Sequence, residues 1–154
     1  MEAPSLKSLG LLGSTAIAAS LILTFEGYTT TPRLDPVGHT EICWGAKGHI
    51  AAANDAVCIR LLKKDLADAN SVIDGLVQVP ITQGQRGAIL DFIYNEGSGR
   101  FASSTLLKKL NSRDYAGACK ELKKWVYANG KKFNGLERRR DAEIRLCMEG
   151  VNVQ

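Results

Sequence analysis

The sequence lacks the features that mark a metal centre, a repeat array or a nucleic-acid-binding module. Its four cysteines have no C-x-x-C spacing, and its two histidines, His39 and His49, form no ligand cluster with them, which argues against a zinc site. Internal repeats, low-complexity tracts and linkers are absent. Only 6% of the residues are aromatic, and no recognition motif or aromatic platform accompanies the basic residues. We therefore expect no metal, no cofactor and no nucleic-acid partner.

Acidic residues are scarce in the last third of the chain. Between Arg100 and Arg145, thirteen lysines and arginines face five acidic residues, whereas the remainder holds seven against eleven. Such a basic region is either an ordinary solvated helix face or a surface that attracts a polyanion, for example an anionic cell-wall polymer. The composition is otherwise that of a globular protein, and 154 residues suffice for one domain with its own core.

Charge is missing altogether from the eighteen residues Ser8–Phe25, after which the chain reaches Glu26. As a helix this run would be about 27 Å long, enough to cross a bilayer. Ser, Thr, Gly and Ala nevertheless fill ten of its eighteen positions, and no persuasive cleavage site follows it. Two interpretations stay open: an ordinary buried first helix, or a weak signal anchor that enters the membrane and later leaves it.

The rest of the chain alternates between turn signals and helical periodicity. Turns and short strands occupy residues 27–50, with "DPVG" as a turn and "TEICW" as a strand. Apolar residues then recur at helical spacing from Asp55 to Leu76, and Thr82 with Gln85 forms a capping box before "RGAILDFIYN", a helix that "GSG" ends. Further helices are predicted over Ser103–Leu110, over Asp114–Tyr127, and from a cap at Asn134 to about Met148. The expected architecture is α+β, mostly helical, with a small β-hairpin lobe after the first helix.

The even number of cysteines favours disulfides in an oxidising compartment, whereas a cytosolic protein would bury four reduced thiols. Four cysteines allow three pairings. The local pairing, Cys43–Cys58 with Cys119–Cys147, closes the shortest loops. We expect this pairing if the chain is exported.

Two carboxylates after the uncharged run suggest general acid catalysis. Cleavage of a glycosidic bond usually needs one protonated and one ionised carboxyl group. Glu26 follows an apolar helix, where partial burial favours the protonated form that a general acid needs. Asp35, beside Pro36 and Gly38, belongs to a more solvated turn and should stay ionised. Taken alone, a carboxylate pair at this spacing is more often solvated surface charge.

Several motifs in order resemble the phage-type lysozymes of glycoside hydrolase family 24. The first is the spacing of Glu26 and Asp35, followed by "PVG…ICWG". The segment "QRGAILDFIYNEGSGRFASSTLL" is similar to the family's Q-x-x-A-L-x-x-F-x-x-N-x-G helix and its F-x-x-S-T-L-L continuation. The segment "GLERRRDAEIRL" is similar to its G-L-x-x-R-R-x-x-E-x-x-L helix. Together the matches cover roughly residues 20–148, and they imply a lysozyme-like fold.

By this resemblance Glu26 is the catalytic acid, and Asp35 orients or activates the attacking water, which implies inversion at the anomeric carbon. The family's third residue is a threonine six positions after the aspartate. Glu41 stands there in this chain, and a threonine, Thr40, lies one position earlier. We favour Glu41 as the third catalytic residue because "ICWG" fixes the strand register, and a slip of one residue would turn the side chain to the other face.

The added carboxylate has three interpretations. Glu41 is a base for the water, a nucleophile that attacks the sugar with retention, or a replacement that lowers activity. His39 is more typical of a cleft-wall or surface residue than of a catalytic one. The segment Arg138–Arg140 is expected to include a structural ion-pair partner.

The resemblance extends to family members whose uncleaved N-terminal segment is a signal-anchor-release element. It implies that residues 1–25 hold the protein on the periplasmic face of the host inner membrane, with 8–25 in the bilayer. After release, residues 26–154 act in the periplasm as the catalytic domain. The expected function is that of a monomeric endolysin, which hydrolyses the β-1,4 bond between N-acetylmuramic acid and N-acetylglucosamine in peptidoglycan and lyses the host. The alternatives are a lytic transglycosylase and a catalytically impaired wall-binding or lysis-regulating protein of the same fold.

Overall fold

The uncharged N-terminal run folds into two pieces instead of one long helix. The computed structural model describes residues 2–48 and 51–153, so His49 lies outside the described residues. A 3-10 turn at Leu6–Leu9 precedes helix α1 at Gly13–Phe25. Gly10 and Gly13 separate the two pieces with left-handed backbone angles (φ 63° and 58°), which glycine adopts without strain. No helix within the described ranges is both long and apolar enough to cross a membrane.

A small antiparallel sheet follows α1, as the turn signals predicted. Its strands are β1 (Thr29–Leu34), β2 (Thr40–Cys43) and β3 (Ala46–Lys47), in spatial order β1-β2-β3. The "DPVG" turn joins the first two strands, with the N–H of Gly38 donating to the carbonyl of Asp35 at 3.0 Å. This sheet and its turns form the β lobe.

Six further helices form the helical lobe. Their bounds are α2 Asp55–Leu76, α3 Gln83–Glu96, α4 Ser98–Ala102, α5 Thr105–Asn111, α6 Tyr115–Glu121 and α7 Asn134–Met148. The α2 prediction is confirmed at both ends, and the capping box is present, since the Thr82 hydroxyl accepts from the N–H of Gln85 and the Gln85 side chain accepts from the N–H of Thr82. The glycine at 97 ends α3, yet the chain re-enters a short helix at once in α4.

Three helix boundaries differ from the prediction. The helix expected over Ser103–Leu110 starts two residues later because Ser104 caps it, accepting from the N–H of Leu107. The helix expected over Asp114–Tyr127 ends at Glu121, and a 3-10 turn and a two-stranded hairpin follow, β4 at Tyr127–Ala128 and β5 at Lys131–Lys132. "Asn-Gly" at 129–130 has positive φ at both positions (50° and 72°), a strong hairpin signal that outweighs helical periodicity. Asn134 is the first residue of α7 and does not cap it.

Helix α3 lies at the centre of the fold. Seven consecutive residues from Gly87 to Ile93 are buried, so this helix is covered on all sides, with α1, α2 and α7 packed around it. The α1 contact is close: a Cβ on Gly87 would lie 2.5 Å from Ile17 Cγ2. The side chain of Gln83 accepts the N–H of Ser14 at 2.8 Å and so satisfies a free donor in the first turn of α1.

Two disulfides join neighbouring elements. Cys43–Cys58 ties β2 to α2, and Cys119–Cys147 ties α6 to α7, which is the local pairing. The first bond fixes the β lobe against the helical lobe. The second holds α7, the helix that carries Arg138–Arg140, against α6.

Replacement of Gly87 by alanine tests the α1–α3 contact. Because the new methyl group would overlap Ile17, we expect Gly87→Ala to lower the free energy of unfolding by about 1–3 kcal/mol. The matched control is Gly75→Ala in α2, where no atom lies within 4 Å of the new Cβ. This control should be neutral or stabilising by up to about 1 kcal/mol, since glycine is a poor helix former. Chemical denaturation of the oxidised proteins measures both, and equal effects would contradict the close packing of α1 on α3.

Candidate active site

Glu26 is the first residue after α1, where the helix gives way to the β lobe. Its backbone N–H donates to the carbonyl of Ile22 at 2.8 Å, so the last helical turn fixes its position. The side chain is 18% exposed, and Oε1 accepts a 2.7 Å hydrogen bond from Arg139 Nη1. On the other side Gly45 passes so closely that a Cβ would lie 3.0 Å from Oε2. The carboxylate is therefore held between the β lobe and α7.

Arg139 joins Glu26 to a second, fully buried carboxylate. Its Nη2 and Nε donate to the two oxygens of Asp91 at 2.7 and 2.9 Å, a bidentate geometry that suits a guanidinium. Burial alone would lower the pKa of Arg139, but the charges and hydrogen bonds of Asp91 and Glu26 outweigh burial and raise this pKa above its usual value. The guanidinium therefore stays charged, and it ties α1, α3 and α7 together.

Asp35 lies in the turn between β1 and β2. Its Oδ1 accepts from the backbone N–H groups of Val37 and His39 at 2.9 and 2.8 Å. Its Oδ2 lies 3.2 Å from His39 Nδ1 and 3.8 Å from Lys47 Nζ. Burial alone would raise the pKa of Asp35, but the hydrogen bonds from His39 and Val37 outweigh burial and lower this pKa. Asp35 is therefore an ionised carboxylate at neutral pH, and His39 is an exposed residue that contacts it.

The register of the sheet places Glu41 and Thr40 on opposite faces. Glu41 pairs with Arg33 on β1 and with Lys47 on β3, and directly paired residues share a face. Lys47 lines the cleft between the lobes, so Glu41 lies on the cleft-side face, while Thr40 points to the other. Oε1 of Glu41 accepts from Arg33 Nε at 2.9 Å, and Arg33 Nη2 donates to the carbonyl of Gly27 at 3.1 Å. The arginine thus links Glu41 to the backbone beside the candidate acid.

A cleft of about 310 Å³ separates the β lobe from the helical lobe. Residues from both lobes line it, among them Gly45 and Lys47 of the β lobe, Asp65 and Val72 of α2, and Ile93 and Tyr94 of α3. The hydroxyl of Tyr94 donates to the carbonyl of Trp44 at 2.6 Å and so connects the two walls. Burial, together with the charges of Asp65 and Glu26, raises the pKa of Tyr94, which keeps the hydroxyl a neutral donor. A cleft between two lobes is the usual place for a substrate.

A second buried arginine and a buried glutamate lie behind Arg139. Arg140 and Glu143 on α7 are fully buried, with Arg140 Nε 3.3 Å from Glu143 Oε2. Arg140 also donates to Asn95 on α3. Burial raises the pKa of Glu143 well above its ordinary value of 4.5, and the negative charge of Asp91 raises it further, although Arg140 lowers it.

Sequence reasoning singled out the carboxylates but missed most of their partners. Arg33, Lys47, Asp91 and Tyr94 carried no assigned role, although Asp91 had a readable signal as the one charge inside the apolar stretch "AILDFI". Two residues of the segment Arg138–Arg140 have an acidic partner: Arg139 contacts Glu26, and Arg140 contacts Glu143.

The profile of the phage lysozyme family matches residues 23–143, a range that includes Glu26, Asp35 and Glu41. The chain belongs to the phage lysozyme family. It is 39% identical to the SAR-endolysin of Bacteriophage PS34, with 90% of this chain and 89% of that relative covered. It is 38% identical to the SAR-endolysin of Enterobacteria phage PA-2, with 96% and 98% covered. The active form of the P1 phage endolysin Lyz shares the fold, with a TM-score of 0.83 over 97% of both chains at 17% identity.

Membership of the phage lysozyme family confirms the resemblance inferred from the motifs, and the lysozyme-like fold class is confirmed with it. The individual roles of Glu26, Asp35 and Glu41 in this phage lysozyme remain predictions. Among the described residues none of the three lines the cleft itself, but each is next to a residue that does: Glu26 lies against Gly45, Asp35 lies 3.8 Å from Lys47, and Glu41 pairs with Lys47 in the sheet. Each of the three also contacts a cation.

Replacement of Glu41 by threonine tests the third position. Because the change removes a negative charge from the cleft-side face, the remaining carboxylates should ionise more easily, and the basic limb of the pH–activity profile should move to lower pH. We expect a shift of a fraction of a pH unit, since Arg33 already offsets the charge. The anomer of the first product is the second readout: retention that reverts to inversion in Glu41→Thr would mark Glu41 as a nucleophile. Thr40→Ala is the control on the other face of the strand. If that control abolishes activity while Glu41→Thr changes neither readout, Thr40 is the third residue.

Proposed function

We propose that this phage lysozyme is an endolysin that hydrolyses the β-1,4 bond between N-acetylmuramic acid and N-acetylglucosamine in peptidoglycan. The observation that carries the proposal is the placement of Glu26 between Arg139 and Gly45, at the junction of the two lobes that form the cleft. A glycan strand lying in this cleft would bring a glycosidic oxygen to a carboxyl group that is held in one orientation. The SAR-endolysins named above are similar over most of their length.

In this proposal Glu26, in its protonated form, donates a proton to the leaving glycosidic oxygen. Asp35 stays ionised and orients the water that attacks the anomeric carbon, so the reaction proceeds with inversion. Two backbone amides and His39 hold Asp35 in the ionised state that this role needs. Glu41 is the third catalytic residue, and it assists the water from the same face of the sheet as Lys47.

The alternatives make different use of these residues. A lytic transglycosylase needs one acid and forms an anhydro-sugar without water, so it has no need of an ionised Asp35. A catalytically impaired wall-binding or lysis-regulating protein would retain the fold and have lost its activity through the replacement at Glu41. The hydrogen bond from Arg139 holds Glu26 in one orientation, which favours an enzyme over an impaired wall-binding or lysis-regulating protein.

We further propose that residues 1–25 act as a signal-anchor-release element and residues 26–154 as the catalytic domain. The segment 8–25 would tether the newly made chain to the host inner membrane, facing the periplasm, and the released enzyme would act in the periplasm as a monomer. Three features support this idea: the names of the similar relatives, the lack of charge in the segment, and the two disulfides of an oxidising compartment. In the fold described here the same segment packs as α1 on α3, so release and completion of the site would be one event.

Replacement of Glu26 by glutamine tests the proposed function. An amide cannot deliver the proton, so Glu26→Gln should lose about 10²–10⁴-fold in lytic rate while its unfolding transition remains cooperative. Turbidity of outer-membrane-stripped cells measures lysis, and mass spectrometry of the soluble muropeptides identifies the products. The matched control, Glu149→Gln, changes an exposed glutamate after α7 and should keep full activity. Retention of more than about a tenth of the wild-type rate would remove Glu26 as the acid, and anhydro-sugars among the wild-type products would replace the muramidase by a transglycosylase.

A further inference from the structure

A continuous buried chain of charged groups runs inward from the candidate acid. Glu26 accepts from Arg139, and Arg139 donates to both oxygens of Asp91. Glu143 lies beside the Asp91 side chain, which contributes to its raised pKa, and 3.3 Å from Arg140. Asp91, Arg140 and Glu143 have no solvent exposure, and Arg139 has 3%. These four side chains are therefore shielded from solvent, so an unpaired charge among them would be costly.

A hydrogen bond between Asp91 and Glu143 would require a proton. Two carboxylates accept hydrogen bonds and cannot donate, so a hydrogen bond between them forms only when one carries hydrogen. The charged groups that face Glu143 are Asp91 from α3 and Arg139 and Arg140 from α7. If every member were ionised, the chain would hold three negative charges against two positive ones.

The arrangement selects which of the two carboxyl groups holds the proton. Both oxygens of Asp91 accept hydrogen bonds from Arg139, and a proton on Asp91 would occupy one of these acceptor positions. Neither oxygen of Glu143 accepts a hydrogen bond from a donor group among the described residues, and the Arg140 Nε nearby is not aligned to donate. Burial raises the pKa of Glu143 accordingly.

We propose that Glu143 is a positioning residue of this lysozyme: as a neutral carboxylic acid it donates a hydrogen bond to Asp91 and so keeps the Asp91–Arg139 clamp closed on Glu26. An ionised Glu143 would repel Asp91 and compete with it for Arg139. The neutral acid removes that repulsion and adds a further donor to the two that Arg139 already gives Asp91. The effect on activity rests on the proposed role of Glu26 as the acid, whereas the protonation of Glu143 does not.

Glutamine is the matched replacement because it is neutral, similar in shape and able to donate from its amide. We expect Glu143→Gln to keep kcat within about threefold of wild type and to leave both limbs of the pH–activity profile in place. Glu143→Ala removes the donor, so kcat on soluble peptidoglycan fragments should fall about tenfold or more with little change in KM. The surface control Glu149→Gln should change neither. A basic limb that moves to lower pH in Glu143→Gln would mean that wild-type Glu143 is ionised, and would overturn the proposal.

The pH dependence of stability provides a test independent of activity. Because the pKa of Glu143 is raised in the folded state, the wild type should lose stability as the pH rises above 4.5, where the unfolded chain ionises this group and the folded chain does not. Glutamine cannot ionise, so the stability of Glu143→Gln relative to wild type should increase from pH 4 upward. A constant difference between the two proteins would contradict a raised pKa.

Carboxyl ¹³C NMR of the wild type reads the same proton directly, even if Glu143→Ala fails to fold. The Glu143 resonance should remain that of a protonated acid at pH 6. Titration of Glu143 near 4.5 in a lytically active protein would overturn this proposal alone. A wild type without lytic activity, in which Glu143 stays protonated, would overturn the proposed function and leave the assignment of the proton intact.

Discussion

The site depends on one buried guanidinium. Arg139 has to satisfy two carboxylates at once, Asp91 through two parallel bonds and Glu26 through a third. Removing a charged group from water costs several kcal/mol unless it is paired, and the two bonds to Asp91 supply that pairing for Arg139. Asp91 comes from the central helix α3, and Glu26 comes from the end of α1. The orientation of the candidate acid is therefore a consequence of how α1 and α7 pack on α3.

The β lobe follows a related rule, with charges paired at its surface instead of in the core. Asp35 has Lys47 and His39 as neighbours, and Glu41 has Arg33. These pairs are partly solvated and contribute little stability individually. Their value is geometric, because Arg33 also reaches the backbone beside Glu26, and the Cys43–Cys58 disulfide holds the sheet on α2. The β-lobe side of the cleft is therefore held in place against α2 and the end of α1.

Local signals in the sequence predicted much of this fold. The Asp55–Leu76 helix, the Thr82 capping box and the "DPVG" turn depend on residues near in sequence, and the structure has all three. The errors arose where two local signals competed, as at the Asn-Gly hairpin after α6. The clamp of Arg139 joins residues 48 and 113 positions apart, which no periodicity encodes. Glu143 appeared only as one letter of a motif, and its isolation from donors is a property of packing.

The fork of Arg139, and not its charge alone, orients Glu26. Lysine keeps the charge but lacks the planar fork that reaches Asp91 and Glu26 from one rigid group, so the kinetics of Arg139→Lys test this role most directly. Measured beside Arg138→Lys, which changes an exposed neighbour, kcat should fall about ten- to a hundredfold in the first variant and stay unchanged in the second. Thermal unfolding identifies the fraction of each protein that is folded, so that rates refer to folded enzyme. A folded Arg139→Lys enzyme with the wild-type kcat would contradict the account.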